Sequence, residues 1–150
     1  DNGPSKRLLG ALLPWMAERR QPVFLVATSN DISRMPPELV RKGRLDEIFF
    51  VDLPSEVVRR DIFSIHLRKR FQNPEGLDLD SLARASDGFS GAEIEQAVVS
   101  GLYRCQAEAV ELDTQHLLQE IASTQPLSIV MAERLAELRT WAAGRTVAAD

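Results

Sequence analysis

The chain has 150 residues, of which 44% are hydrophobic and 27% charged, values typical of one ordinary domain or of two small subdomains. Its net charge of -4 excludes a global positive field that would attract nucleic acid, and its single cysteine, Cys105, excludes an intramolecular disulfide. Because no apolar run is long enough to span a membrane and no signal peptide opens the chain, we expect a cytoplasmic protein.

The first fifty residues predict a fragment of a parallel sheet. A stripe of leucines begins after Ser5, and Pro14 is expected to kink or split the helix that this stripe indicates. The apolar runs 23–27 and 48–51 each predict a strand. Since both runs are continuous rather than alternating, we expect a sheet covered on both faces, as in α/β proteins.

After Pro54 the sequence predicts helices alone. Ser55 has the chemistry of an N-cap for the first of them, and the segment 73–76 should end it. A short helix is expected between this segment and Asp87-Gly88. The apolar face of the first helix is expected to contain Val58, Ile62, Ile65 and Leu67.

Three further helices complete the predicted bundle. Ser90 and Glu93 have the spacing of a capping box, which begins a long helix. Thr114 is expected to cap the next helix, and Pro126 to begin the last one. The predicted fold class is therefore α/β, a partial parallel sheet followed by an all-α bundle.

Two features of the first region indicate phosphate chemistry. Asn30 follows a predicted strand, at the edge where open α/β sheets bind ligands. Arg41 and Arg44 flank a Lys-Gly turn, and an arginine can bind phosphate oxygens through two N–H groups. From the residues alone, Asn30 is more readily a turn cap and the two arginines are surface groups.

The same stretch contains Pro-Pro-Glu-Leu at 36–39, Arg-Lys-Gly-Arg-Leu-Asp at 41–46 and Asp-Leu-Pro at 52–54. With the strand that ends at Asn30, these motifs resemble the second half of the large subdomain of an AAA+ ATPase. The plastid and cyanobacterial AAA ATPases are the most similar group. The resemblance implies that residues 1–54 are the end of the large α/β subdomain, and residues 55–150 a helical lid with an extra C-terminal helix.

In this family, the position of Asn30 is sensor 1, which orients the attacking water or contacts the terminal phosphate. The positions of Arg41 and Arg44 are arginine fingers, which reach the nucleotide of the neighbouring subunit. The sequence departs from the pattern at Glu47, where many relatives have a further arginine. The resemblance therefore implies catalytic roles for Asn30, Arg41 and Arg44.

The resemblance also implies a nucleotide-binding face on the lid. Ile62 and His66, one helical turn apart, correspond to residues that lie against the adenine. Gly91 and Ala92 correspond to the residues that approach adenine and ribose, where a glycine permits close contact. Without the resemblance, His66 would be interpreted as a partly buried histidine on an amphipathic helix. Ala92 occupies the place where other AAA+ branches have the arginine of sensor 2.

No G-x-x-x-x-G-K-[ST] motif occurs in the 150 residues, so the sequence contains no phosphate-binding P-loop. Residues 48–52 imitate a Walker B strand, but Leu53 follows where an acid is needed. Asp52 is therefore interpreted as a hinge or capping residue. His66 and His116 are too few and too isolated to indicate a metal site.

The resemblance implies an ATPase that uses ATP and Mg²⁺ to remodel an unidentified macromolecule as a ring homo-oligomer, in this family a hexamer. The present chain alone is expected neither to bind ATP tightly nor to hydrolyse it. Neither a membrane nor a nucleic acid is an expected partner. Two alternatives stay open: a degenerate AAA module with a regulatory or protein-interaction role, and a helical binding domain whose first 54 residues merely resemble AAA+.

Overall fold

The computed structural model describes residues 4–18, 22–29, 31–32, 35 and 45–149. Within them lie a two-stranded parallel sheet and a bundle of helices, which confirms the predicted fold class. The elements are α1 (Pro4–Glu18), β1 (Phe49–Phe50), α2 (Glu56–Lys69), a 3-10 turn (Pro74–Gly76), α3 (Leu79–Ala85), α4 (Gly91–Glu108), α5 (Thr114–Ser123), α6 (Leu127–Val130), α7 (Ala132–Ala142) and β2 (Val147–Ala148).

The chain divides into two compact units. One is Asp1–Phe50 with Ala142–Ala148, and the other is Val51–Trp141 with Ala149–Asp150. In the first unit, α1 continues without a break through Pro14, so the proline does not split the helix. The sheet of this unit pairs β1 with β2 in parallel, with Phe49 opposite Val147. The sequence did not predict β2.

The strand predicted at 23–27 is wrong, because residues 22–29 form no strand in the structure and all are exposed. Phe24, for example, is 93% exposed. An apolar run becomes a strand only when a neighbouring backbone pairs with it. The second predicted strand is confirmed but shorter, at Phe49–Phe50. Its expected burial on both faces is wrong, since Phe49 is 62% exposed.

The second unit is built around a closed apolar core from α2 to α5. Leu67 and Phe63 on α2 are fully buried, and Ile65, expected on the buried face, is half exposed. Gly101 lies where α4 meets α5, and a Cβ there would approach Leu117 Cδ2 to 3.0 Å. The glycine therefore lets the two helices pack closely. The core consists of Phe63, Leu67, Leu82, Phe89, Ile94, Ala97, Val98, Leu117 and Ile121.

Several predicted helix ends are confirmed. Ser55 caps α2 by accepting the N–H of Val58, and the Ser90–Glu93 capping box begins α4. The cap of α5 differs from the prediction because Asp113, not Thr114, accepts the N–H of His116. Thr114 instead accepts the backbone N–H of Asp78 at 3.0 Å, which joins the starts of α3 and α5.

The last predicted helix is divided in two. Pro126 precedes the single turn α6, and α7 then begins at Ala132 after Met131, whose backbone has left the helical conformation. No helix in the described part of the chain is both long and apolar enough to cross a membrane.

Candidate functional site

The three residues predicted to be catalytic, Asn30, Arg41 and Arg44, lie outside the described residues, as does the turn at 36–39. Beside them, the backbone N–H of Asp31 donates to Ser29 Oγ at 3.2 Å. Glu47, the position that departs from the family pattern, is exposed. The structure therefore describes the lid part of the predicted site.

Three of the four predicted lid residues, Ile62, His66 and Gly91, lie along one line of contact between α2 and α4, which we call the α2–α4 seam. A Cβ added to Gly91 would lie 3.6 Å from Ile62 Cδ1, so Ile62 packs over the first turn of α4. One turn further along both helices, His66 Nδ1 lies 3.3 Å from Glu95 Oε1. Ala92, beside Gly91, is exposed. Along the seam, the apolar side chain of Ile62 and the backbone of Gly91 are therefore followed by the imidazole of His66.

His66 belongs to a small polar cluster that the sequence reasoning missed. Arg70 Nη2 binds the same carboxylate oxygen of Glu95 at 2.8 Å, while Arg70 Nη1 donates to the backbone carbonyl of His66 at 3.2 Å. The His66 side chain is 15% exposed. Spacing was the available signal, because Glu95 follows Gly91 by one helical turn just as His66 follows Ile62.

The charges of this cluster favour an ionised Glu95. The hydrogen bond from Arg70 is the largest influence that lowers the pKa of Glu95, and the nearby His66 lowers it further. The ionised carboxylate accepts the hydrogen bond of Arg70 Nη2, which fixes it beside the seam.

The first turn of α4 is fixed by hydrogen bonds to the residue that precedes it and to the start of α6. Glu93 Oε2 accepts the N–H of Ser90 at 2.7 Å, and Glu93 Oε1 accepts the N–H of Leu127 at 2.8 Å. Gly88 has a φ of +75°, and any side chain there would collide with Ser128. The start of α6 is therefore packed against the loop that positions Gly91.

The residues that precede the lid are also held by the C-terminal part of the chain. Asp52 accepts two hydrogen bonds from Arg139 on α7, at 2.7 and 2.8 Å, and also accepts the N–H of Leu53. The bond from Arg139 is the largest influence that lowers the pKa of Asp52. This arrangement agrees with a structural role for Asp52 just before the lid.

A buried cation lies at the start of the lid. Arg59, on the inner face of α2, donates to the carbonyls of Ala83 at 3.0 Å and Pro54 at 2.9 Å. It also lies 3.3 Å from the exposed carboxylate of Asp87. The sequence signal was its position one turn before Phe63, on the face that α2 buries.

The donor set of the seam fits the base of a nucleotide better than its phosphates. An aliphatic side chain, a glycine backbone and one imidazole are suited to a flat heterocycle. Among the described residues, no three of His, Cys, Asp and Glu come together in a way that could hold a metal ion.

Residues 1–53 match the model of the ATPase family associated with various cellular activities (AAA). The chain is also 41% identical over 143 residues to the AAA domain-containing protein ycf46 of Gracilaria tenuistipitata var. liui. This chain belongs to the AAA family of ATPases. The predicted family is confirmed, and the ycf46 match fits the plastid and cyanobacterial group that the sequence resembles.

Other AAA relatives agree with this assignment. The ycf46 protein of Guillardia theta is 39% identical over 143 residues, which cover 95% of this AAA chain and 28% of that protein. The proteasome-activating nucleotidase of Aeropyrum pernix is 38% identical over 81 residues, 54% of this chain and 20% of that protein. The Gracilaria match covers 95% of this chain and 29% of its relative. The AAA chain thus spans less than a third of the length of these relatives.

Proposed function

We propose that this AAA chain is the sensing and lid portion of an ATPase that remodels a macromolecule as a ring of identical subunits. The observation that carries the proposal is the family match over residues 1–53, a range that includes Asn30, Arg41 and Arg44. In this proposal Asn30 orients the attacking water, and the two arginines stabilise the phosphoryl group in the neighbouring subunit. We propose neither a particular substrate nor a cellular compartment.

The lid residues are proposed to hold the base of the nucleotide. Ile62 would pack against one face of the adenine, the backbone at Gly91 and Ala92 would pass close to the base and sugar, and His66 would contribute one polar contact. The proximity of Ile62 to Gly91 supports this assignment. The bound Mg²⁺–ATP would supply the scissile phosphoanhydride bond and the charge neutralisation of its phosphates. We propose that the phosphates and Mg²⁺ are held by residues outside these 150.

The proposal is tested with the complete product of the gene, beside the 150-residue chain. We expect ATP turnover from the complete protein and none from this chain. Arg44→Ala in the complete protein should abolish turnover while retaining nucleotide binding, because the finger serves a neighbour's site. An arginine finger contributes about 10³- to 10⁵-fold to the rate in other phosphoryl-transfer enzymes. Arg68→Ala is the matched control, since Arg68 is an exposed cation on the lid.

Mixing two inactive variants sharpens the test. Asn30→Ala should disable a subunit's own site, whereas Arg44→Ala should disable the adjacent site. A mixture of the two proteins should regain turnover, because some interfaces then combine an intact Asn30 with an intact Arg44. Failure of the mixture to regain activity, with both variants still assembling, would exclude the finger role. A complete protein that neither binds nor hydrolyses ATP would favour the degenerate regulatory module instead.

A further inference from the structure

The carboxylate of Glu93 joins two segments of the lid that are distant in sequence. Its Oε2 accepts the backbone N–H and the hydroxyl of Ser90, both at 2.7 Å, which closes the capping box of α4. Its Oε1 accepts the backbone N–H of Leu127, the first residue of α6, at 2.8 Å. A capping box needs only one of the two oxygens. The second oxygen therefore makes a bond that the start of α4 does not need for its own cap.

The segment that Glu93 fixes contains two of the residues predicted to approach the ligand, Gly91 and Ala92. Phe89 before it and Ile94 after it are buried in the core of the lid. Between these two anchors, Gly91 is partly buried and Ala92 is exposed. The core thus fixes the two ends of the segment, and the hydrogen bonds of Glu93 fix the backbone between them.

A second contact places α6 beside the same segment. A Cβ added to Gly88 would lie 3.8 Å from the Cβ of Pro126 and would collide with Ser128. The backbone at Gly88 is therefore in close contact with the start of α6, independently of the bond that Glu93 makes. Both contacts hold α6 against the loop that leads into α4.

We infer that Glu93 is a positioning residue for the ligand of the α2–α4 seam, and that it acts through its bond to Leu127. A Cβ on Gly91 would lie 3.6 Å from Ile62 Cδ1, so a small displacement of the first turn of α4 changes the width of the seam. By anchoring that turn to α6, Glu93 lets the C-terminal part of the chain contribute to the affinity of a site on α2 and α4. That the ligand is a nucleotide base rests on the proposed function; the position of the backbone does not.

Leu127→Pro tests the bond directly, because it removes the N–H and leaves Glu93 in place. Proline is favoured at the first position of a helix, and the residue before it, Pro126, has a φ of -68° and a ψ of 148°, which a following proline permits. Leu127→Ala is the matched control, since it removes the same side chain and retains the N–H. In ¹H–¹⁵N correlation spectra of this chain without nucleotide, Leu127→Pro should shift the signals of Gly91 and Ala92, and Leu127→Ala should leave them near their wild-type positions. Equal shifts in the two variants would overturn the inference.

The effect on the ligand is measured as ATP turnover by the same two variants of the complete protein. Leu127→Pro should raise the KM for ATP about 2- to 10-fold, the effect of one ordinary hydrogen bond, and leave kcat unchanged. The reason is that the base is bound equally in the ground state and in the transition state. A fall in kcat at constant KM, or equal KM values in Leu127→Pro and Leu127→Ala, would overturn the positioning role. Failure of the proposed function is distinguishable, because the wild type would then show no turnover, and the spectra would still decide whether Leu127 positions Gly91.

Glu93→Gln breaks the same bond from the other side. Glutamine also forms capping boxes, but its amide nitrogen cannot accept an N–H. Its single carbonyl oxygen should stay on Ser90, so that Leu127 loses its acceptor. If Glu93→Gln and Leu127→Pro both act through this one bond, the double variant should raise KM no further than the more severe single variant. Increases in KM that multiply in the double variant would show that the two residues act independently, and would overturn the inference.

Discussion

The two parts of this chain differ in how many family motifs they contain and in how well their residues are packed. Residues 22–54 contain most of the motifs by which the family is identified, yet residues 22–29 are exposed and form no strand. The lid from α2 to α5 has weaker motifs but a closed core and a cap at nearly every helix start. Motifs record chemistry, whereas independent stability comes from apolar burial and local hydrogen bonds. The two properties need not occupy the same residues.

The largest expected effect comes from one substitution made in both regions. Phe63 is fully buried in the lid core, and Phe24 is 93% exposed. Phe63→Ala should lower the free energy of unfolding by about 3–5 kcal/mol, because it removes buried surface and leaves a cavity. Phe24→Ala should change it by less than about 0.5 kcal/mol. Urea denaturation followed by circular dichroism measures both. Equal losses of unfolding free energy in the two variants would contradict the conclusion that the lid is packed and residues 22–29 are not.

A smaller effect is expected from the buried cation at the start of the lid. Arg59→Met retains the length of the side chain but removes the donor of the Pro54 carbonyl and leaves the Ala83 carbonyl with only the Ser86 hydroxyl at 3.2 Å. The loss in unfolding free energy should be about 1–3 kcal/mol, the cost of one carbonyl left unsatisfied.

The neighbouring residue provides the matched control for Arg59. Arg60 pairs with Asp80 at 2.8 Å, but both side chains are more than half exposed. Arg60→Met should therefore cost less than about 1 kcal/mol in the same urea titration. If the two variants lose equal stability, the bonds of Arg59 do not stabilise the lid beyond an ordinary surface pair.

The local parts of this fold could be predicted from sequence, and the non-local parts could not. Ser55, Ser90 and Glu93 act within one turn of their own helices, so spacing alone identified them. The strand at 23–27 was wrong and β2 was missed because strand formation depends on a distant partner. Ile62 and Gly91 were predicted as site residues because their positions match the family pattern. That pattern gives no role to Glu95. The ring contacts of His66 depend on how two helices pack, which periodicity does not report.

The ion pair between Asp52 and Arg139 should have a modest effect that depends on pH. Both side chains are partly exposed, so Arg139→Met should cost about 0.5–1 kcal/mol near neutral pH. Arg139 lowers the pKa of Asp52 below its ordinary value of 3.8, so the pair stabilises the fold above that value. Its contribution is lost as the pH falls below 3.8 and Asp52 becomes protonated in the folded chain.

The measurement compares wild type and Arg139→Met by urea denaturation between neutral pH and about pH 3. The difference between the two proteins should shrink toward the acidic end. Asp52→Asn is the control, because it removes the titrating group and should make the effect of Arg139→Met independent of pH. A difference that grows as the pH falls would contradict the assigned pair.

The smallest predicted effect is a gain in stability at the end of α2. Phe71 has a φ of +60° and a side chain that is 98% exposed. Its N–H donates to Arg68 O while that of Gln72 donates to Leu67 O, the Schellman pattern in which glycine usually follows the helix. The left-handed conformation costs a residue with a Cβ about 1–2 kcal/mol, whereas a glycine makes the unfolded chain more favourable by about 0.4–1 kcal/mol. Phe71→Gly should therefore stabilise the lid by about 0.5 kcal/mol, and Gln72→Gly, the matched control, should destabilise it. Destabilisation by Phe71→Gly would mean that the exposed ring makes contacts in solution, and the lid would then be less self-contained than its core indicates.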